Sequence, residues 1–359
     1  FGHRNSDNSS LGDWYVNEEK LKGGLGYLSK ELDSLGMKLG LWFEPEMISP
    51  DSDLYRLHPD WALQVPGRPL TMSREQYILD FSRPEVREHI YAQMRRVIDS
   101  CGLSYIKWDM NRQMTEVRSA ALPPERQGEV MYRYMLGVYE LLGRLTSDYP
   151  DILLETCAGG GARFDAGMLY YSPQIWCSDD TDAAERLKIQ YGTSLCYPCS
   201  AVGAHVSVCP NHTVGRSTSM EMRGHAALAG TFGYELDLMK LSGEELSAIP
   251  QQIEDFRRCS DIIMHGDYYR LGDPINDPSW DCFMAVSKDG SKAVLAFFQI
   301  LARPNFASRR IFLRGLLPDA LYSIGGFELS GAALMSCGFN VGNLWGDFKS
   351  RLLFVERVD

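Results

Sequence analysis

LSYIKWDMNR, Leu103–Arg112, opens as a short apolar run and closes in a dense polar cluster of Lys107, Asp109, Asn111 and Arg112. A buried strand of a parallel sheet reads this way when it delivers a carboxylate to its C-terminal end. In a barrel of parallel strands, that end is where chemistry is done. Asp109 is therefore a candidate nucleophile, weighed against the plainer reading of an Asp that caps the next turn.

The flanking sequence supplies the context. Gly2–Trp14 is polar and rich in Gly, Asn and Ser, so it reads as a loop. Leu25, Leu28, Leu32 and Leu35 recur at helical spacing until Gly36 stops the helix. Lys38–Phe43 reads as a strand leading to Trp42, Glu44 and Glu46. Asp51–Thr71 is a long loop of the kind that carries function, and Gln76–Phe81 is a short strand. Ser82–Glu85 reads as a capped helix start with Pro84 in the first turn, followed by an apolar face of Ile90, Met94, Val97, Ile98 and Cys101.

A helix over Met131–Leu145 ends at Pro150. The strand Asp151–Cys157 runs into Gly159–Gly161, and the strand Gln174–Cys177 into the acidic run Ser178–Asp182. A helix over Ala183–Leu195 follows, then strands at His205–Val208 and Tyr234–Leu238, with helices near Met220–Leu228 and Ile249–Ile263. Alternation of this kind calls for a parallel sheet with right-handed crossovers. An open doubly wound sheet would carry a dinucleotide glycine fingerprint, which the sequence lacks.

Six strand–helix units can be counted, where a closed barrel has eight. The chain opens on Phe1, in mid-sentence, so it reads as a fragment with two strands upstream. From about Asp267 strands follow without helices: Cys282–Val286, Ala293–Ile300, Arg310–Leu313, Leu321–Ile324 and Leu352–Glu356, the first two joined by the turn Lys288–Ser291. The expected fold is α/β: a (β/α)8 TIM-type barrel, N-terminally truncated, over residues 1–266, then a C-terminal antiparallel β domain over residues 267–359.

A net charge of −11 argues against a nucleic-acid partner, and no apolar run is long enough to span a membrane. The nine cysteines form no regular framework and read as reduced thiols, in keeping with a cytoplasmic protein. Cys196, Cys199, Cys209 and His212 have a spacing that resembles a zinc site, but no motif supports it, so no metal is expected.

Four strand ends carry polar clusters: Trp42–Glu44, Lys107–Asp109, Thr156–Gly159 and Ser178–Asp180. In a barrel all four converge on one mouth. Asp109 and one Asp of the 179–180 pair would then supply two carboxylates across a pocket, which suits nucleophile and acid/base chemistry. Glu44 and Glu46 remain alternative acids, and Trp42 suits the apolar face of a sugar.

At this point the chain resembles glycoside hydrolase family 36, the α-galactosidases. The resemblance rests on GLWFEPEMISPDSDLYRLHPDW, RPEVREHI, IKWDMNR, ETCAGGGARFD, CSDDTD with ERLKIQYG, AHVSVCPNHTVGR and TFGYELD. It covers nearly the whole chain. It implies that Asp109 is the nucleophile, Asp179 the general acid/base, and Lys107 a contact to sugar hydroxyls beside the nucleophile. It also implies that Trp42 is an aromatic wall and that Arg74, Asn111, Cys157 and Gly159 contact substrate. A retaining mechanism without a cofactor follows, with carboxyls roughly 5–5.5 Å apart. Lys107 is expected to hold Asp109 ionised and Asp179 to have a raised pKa.

Raffinose-type oligosaccharides or melibiose are the implied substrates, and a homo-oligomer such as a tetramer the implied assembly. The aspartate pair that would recognise the galactose O4 and O6 lies, by the resemblance, upstream of Phe1. The rival readings are a related α-glycosidase or transglycosylase, a non-catalytic carbohydrate-binding fragment, and a zinc-dependent barrel hydrolase.

Several of these residues also have plainer readings. Trp108 suits the barrel core, Cys157 a small buried residue and Arg74 the surface. Gly159–Gly161 could cradle a phosphate or let backbone approach a sugar. His58, His205 and His212 read as structural.

Overall fold

The computed structural model describes residue 4 and residues 6–305 and 308–358. The start of the expected N-terminal loop lies outside the described residues. Its remainder is a loop, but not a wholly polar one: Leu11 and Trp14 are fully buried. The chain divides between Trp176 and Cys177 into two compact units.

The first unit holds four parallel strands: β1 (Gly40–Phe43), β2 (Tyr105–Trp108), β3 (Leu153–Thr156) and β4 (Gln174–Trp176), each pairing with the next. The helices α1 (Gly24–Ser34), α2 (Pro84–Cys101) and α3 (Val130–Asp148) alternate with them. Ile90, Met94 and Ile98 of α2 and Tyr134, Val138 and Leu142 of α3 are buried in one core with Ile106 and Trp108. Helical spacing on one side and strand alternation on the other meet there, and burial of these apolar side chains dominates the stability. Gly36, at φ +72°, stands just past α1 as expected.

Three local readings change. The helix start at α2 is right, but its N-cap is Arg83 without a side-chain cap bond. Ser82 is spent on Asp80 instead. The long loop after Asp51 contains a helical turn, Asp53–Leu57, whose first N–H groups are bound by Asp13 and Ser52. The short strand after Gln76 is only Tyr77–Ile78, paired with Met47–Ile48. A helix over Ala166–Tyr171, α4, was not anticipated.

The second unit opens with α5 (Ala183–Thr193), β5 (Val202–Ser207), α6 (Met220–Ala227), β6 (Thr231–Glu235) and α7 (Gly243–His265). β5 and β6 pair in parallel, so six parallel strands are present among the described residues, each in a strand–helix alternation. Both strands begin three residues earlier than expected, with Gly203 and Ala204 already paired with Thr231 and Phe232.

Among the described residues this unit also holds a six-stranded antiparallel sheet: β7 (Asp267–Arg270), β8 (Trp280–Val286), β9 (Lys292–Gln299), β10 (Leu321–Ile324), β11 (Phe327–Ser330) and β12 (Lys349–Arg357). Their order is β11-β10-β12-β9-β8-β7. Of the strand expected at Arg310–Leu313, only Arg310–Ile311 pairs, with Phe339–Asn340.

Candidate active site

Parallel register sets the site. Trp42 lies opposite Lys107, and Lys107 opposite Glu155. Each ladder continues one residue past the strand, with Asp109 N–H on Phe43 O and Cys157 N–H on Trp108 O, both 2.8 Å. Side chains alternate along a strand, so Lys107 and Asp109 leave β2 on one side, while Ile106 and Trp108 enter the core.

Asp109 is 6% exposed. Its Oδ2 accepts from Trp42 Nε1 at 3.0 Å and from Asn111 Nδ2 at 2.7 Å. Its Oδ1 accepts the Met110 N–H at 2.8 Å. Three donors hold the carboxylate in one orientation, as a nucleophile requires. The Cys157 thiol is pushed well above the usual range by burial, then by the charge and hydrogen bond of Asp109. It is a neutral neighbour of Asp109, not a thiolate.

Lys107 was expected to serve Asp109. Its Nζ lies 3.2 Å from Glu155 Oε1 and 4.5 Å from the Trp176 ring centre. Glu155 is fully buried, and a buried carboxylate needs a counter-charge.

The two alternative acids separate cleanly. Glu46 is 0% exposed and accepts four hydrogen bonds. They come from Trp108 Nε1 (2.7 Å), Tyr134 OH (2.5 Å) and both terminal nitrogens of Arg163 (2.8 and 3.0 Å). Burial, with Glu46 beside it, holds the Tyr134 phenol well above its ordinary range, as a donor. Glu46 is a structural clamp.

Glu44, 2% exposed, accepts on Oε1 from Gln76 Nε2 (2.9 Å) and the Asn111 N–H (2.7 Å). Burial first, and Asp109 also, push its pKa up to about 7 against those two donors. Glu44, Trp42, Asn111, Arg74 and Gln76 line one open cleft.

Arg74 reaches that cleft from a tight turn over Ser73–Gln76, with φ +51° at Arg74 and +57° at Glu75. Gly159, at φ +54°, is exposed and has open space where a Cβ would stand. The phosphate reading of Gly159–Gly161 fails locally: the next helix, α4, is short, and its N-terminus is occupied by Asp165, which binds the Met168 N–H.

In the second unit, the acidic run is divided by role. Asp180 accepts the Asp182 N–H at 3.0 Å. Asp182 caps α5 and pairs with Arg216. Asp179 is the exposed member. His58 stacks on Trp61 at 4.0 Å, a packing role.

Among the described residues, no group of three His, Cys, Asp or Glu is placed to hold a metal ion, so Cys196, Cys199, Cys209 and His212 do not form a zinc cluster. The cysteines are free. No helix among the described residues is long and apolar enough to cross a membrane.

Parallel strands that end in a held carboxylate, an aromatic and a lysine gather reactive and binding groups at one strand end, where barrel active sites are built. Comparison with known proteins agrees. The Melibiase family model matches residues 1–266, and the glycosyl hydrolase family 36 C-terminal domain matches residues 280–355. The chain belongs to the Melibiase family.

It is 49% identical to alpha-galactosidase AgaA of Geobacillus stearothermophilus over 100% of the chain and 49% of that protein. It is 52% identical to the bifunctional alpha-galactosidase/sucrose kinase AgaSK of Mediterraneibacter gnavus over 94% of the chain and 35% of that protein. A crystal structure of an AgaA variant in complex with raffinose superposes with a TM-score of 0.98 at 48% identity, over 100% of the chain and 50% of that structure. Another, in complex with stachyose, gives 0.97, likewise at 48% identity and the same coverage. The chain thus has the fold of these enzymes throughout, and spans about half the length of the relatives it matches.

Proposed function

We propose that the protein carrying this chain is a retaining α-galactosidase that hydrolyses terminal α-galactosyl residues of oligosaccharides such as raffinose. The observation that carries this reading is the held, buried Asp109, with Trp42, Asn111 and Cys157 gathered around it. The relatives named alpha-galactosidase, and the raffinose and stachyose complexes, support the sugar.

Residues 1–266 belong to the catalytic barrel and residues 267–359 to the antiparallel domain. Asp109 is the nucleophile and Asp179 the acid/base. Asp109 bonds to the anomeric carbon as the glycosidic C–O bond breaks, and the Asp179 proton goes to the leaving oxygen. Asp179 then takes a proton from water, which releases galactose and regenerates the Asp109 carboxylate. That cycle needs a protonated Asp179 at working pH, hence a raised pKa. Trp42, Lys107, Asn111, Arg74, Cys157 and Gly159 bind the sugar. The assembly is a cytoplasmic homo-oligomer, in keeping with the free cysteines.

The test is hydrolysis of nitrophenyl α-galactoside by the native-length protein. Asp109→Ala should lower turnover by about 10⁴-fold or more. Near-normal turnover in that variant would end the nucleophile assignment.

A further inference from the structure

Glu44 is a buried carboxylate that the reaction above does not use. It follows β1 directly and lines the cleft. Its Oε1 grips the Asn111 main chain at 2.7 Å, and Asn111 Nδ2 in turn holds Asp109 Oδ2 at 2.7 Å. Two carboxylates are thus joined through one residue. Both partners that Glu44 binds are neutral amides, so no hydrogen bond of this network brings it a counter-charge, and the Arg4 guanidinium acts on it through space.

The charged groups around it are Asp109 at the end of β2, Arg4 and Asp7 of the N-terminal segment, Arg74 and Glu75 of the tight turn, and Arg112. Arg112 acts at one remove, through the Gln76 carbonyl at 2.9 Å.

We infer that Glu44 is a positioning residue for the nucleophile: it fixes Asn111 against Asp109, and its ionisation sets the balance between formation and breakdown of the glycosyl-enzyme. The inference rests on the proposed glycosidase reaction. When Asp109 bonds to the anomeric carbon, its negative charge is consumed; when water releases the sugar, that charge returns. An ionised Glu44 repels the Asp109 carboxylate, so it favours the first step and opposes the second. A protonated Glu44 does neither. The carboxyl is pushed up to about 7, which places this change within the working range of pH.

The experiment uses the native-length protein and a dinitrophenyl α-galactoside, whose leaving group departs without acid assistance. Stopped-flow bursts measure glycosylation, and the steady state reports deglycosylation, between about pH 5.5 and 8.5. In the wild type, glycosylation should rise severalfold through about pH 7, while deglycosylation falls. Glu44→Gln should remove that step from both rates. Gln76→Ala deletes a donor that favours the charged form, so it should move the step to higher pH.

A merely structural Glu44 would lower rates in Glu44→Gln at all pH values and leave the step in place, which would overturn the inference. If Glu44→Gln does not fold, an unmoved step in Gln76→Ala overturns it equally. A wild type silent on every α-galactoside instead sinks the glycosidase reading, and this inference with it.

Discussion

Glu44 and Glu46 leave the same strand end two residues apart and enter opposite surroundings. Glu46 meets a guanidinium, a phenol and an indole, drawn from positions 163, 134 and 108. Glu44 meets two neutral amides and the negative charge of Asp109. Both are almost fully buried. The difference shows that burial alone does not assign a role to a carboxylate. Hydrogen-bonded to a cation, it is a clamp; hydrogen-bonded only to neutral donors at the edge of a cleft, it is a group whose ionisation can be used.

The sharpest way to break this comparison is Arg163→Met. It leaves Glu46 buried with only neutral donors, and should cost about 3–5 kcal/mol of stability in urea unfolding at neutral pH. A loss below about 1 kcal/mol would mean that charge does not hold Glu46, and the contrast with Glu44 would collapse.

The pH dependence of stability comes next. Asp281, in the antiparallel domain, is a third buried carboxylate. Its carboxyl accepts the Cys282 N–H at 2.8 Å, and burial pushes it up from 3.8 to about 7. Glu44 rises from 4.5 to about 7. Both have folded values above their unfolded ones, so the folded protein binds more protons between those limits. Their stabilising contribution is full below the unfolded value and is lost as pH rises through about 7. The loss is at most about 4 kcal/mol for Asp281 and about 3 kcal/mol for Glu44. Urea titrations from about pH 4 to 8 should flatten in part with Asp281→Asn and in part with Glu44→Gln. A wild-type stability that does not fall over this range would contradict both assignments.

The smallest expected effect concerns the turn that aims Arg74 into the cleft beside Glu44. Glu75 holds a left-handed φ that glycine adopts without strain. Glu75→Gly should therefore stabilise the protein by about 1 kcal/mol, read as a small rise in Tm. A fall in Tm would show that the Glu75 side chain contributes more than its backbone costs.

Much of the barrel portion was legible because helices and strands write different periods. Short apolar runs ending in polar clusters marked β1 to β4, and the face of Ile90, Met94 and Ile98 marked α2. The short pieces were not legible. Asp53–Leu57 and Ala166–Tyr171 are too brief for a helical period to show. Their start signals, Ser52 and Asp165, resemble any loop Ser or Asp until a backbone N–H is seen on them. Ser82 looked like a cap and was not one, because Asp80 lay within reach. Asp179 and Asp180 were equivalent by residue type, and only the loop geometry makes Asp180 a turn-former and leaves Asp179 exposed.

The sequence by itself determined which strands of the parallel series form and which carboxylate stands at the end of β2. Both follow from local patterns: a buried strand must be apolar, and the residue that ends it is next in the chain. Only the tertiary structure decided what Glu44, Glu46 and Lys107 do. Their partners come from Gln76, Asn111, Tyr134, Glu155 and Arg163, most of them tens of residues away. The state of a buried charge depends on the groups that face it in space, and no local pattern encodes those.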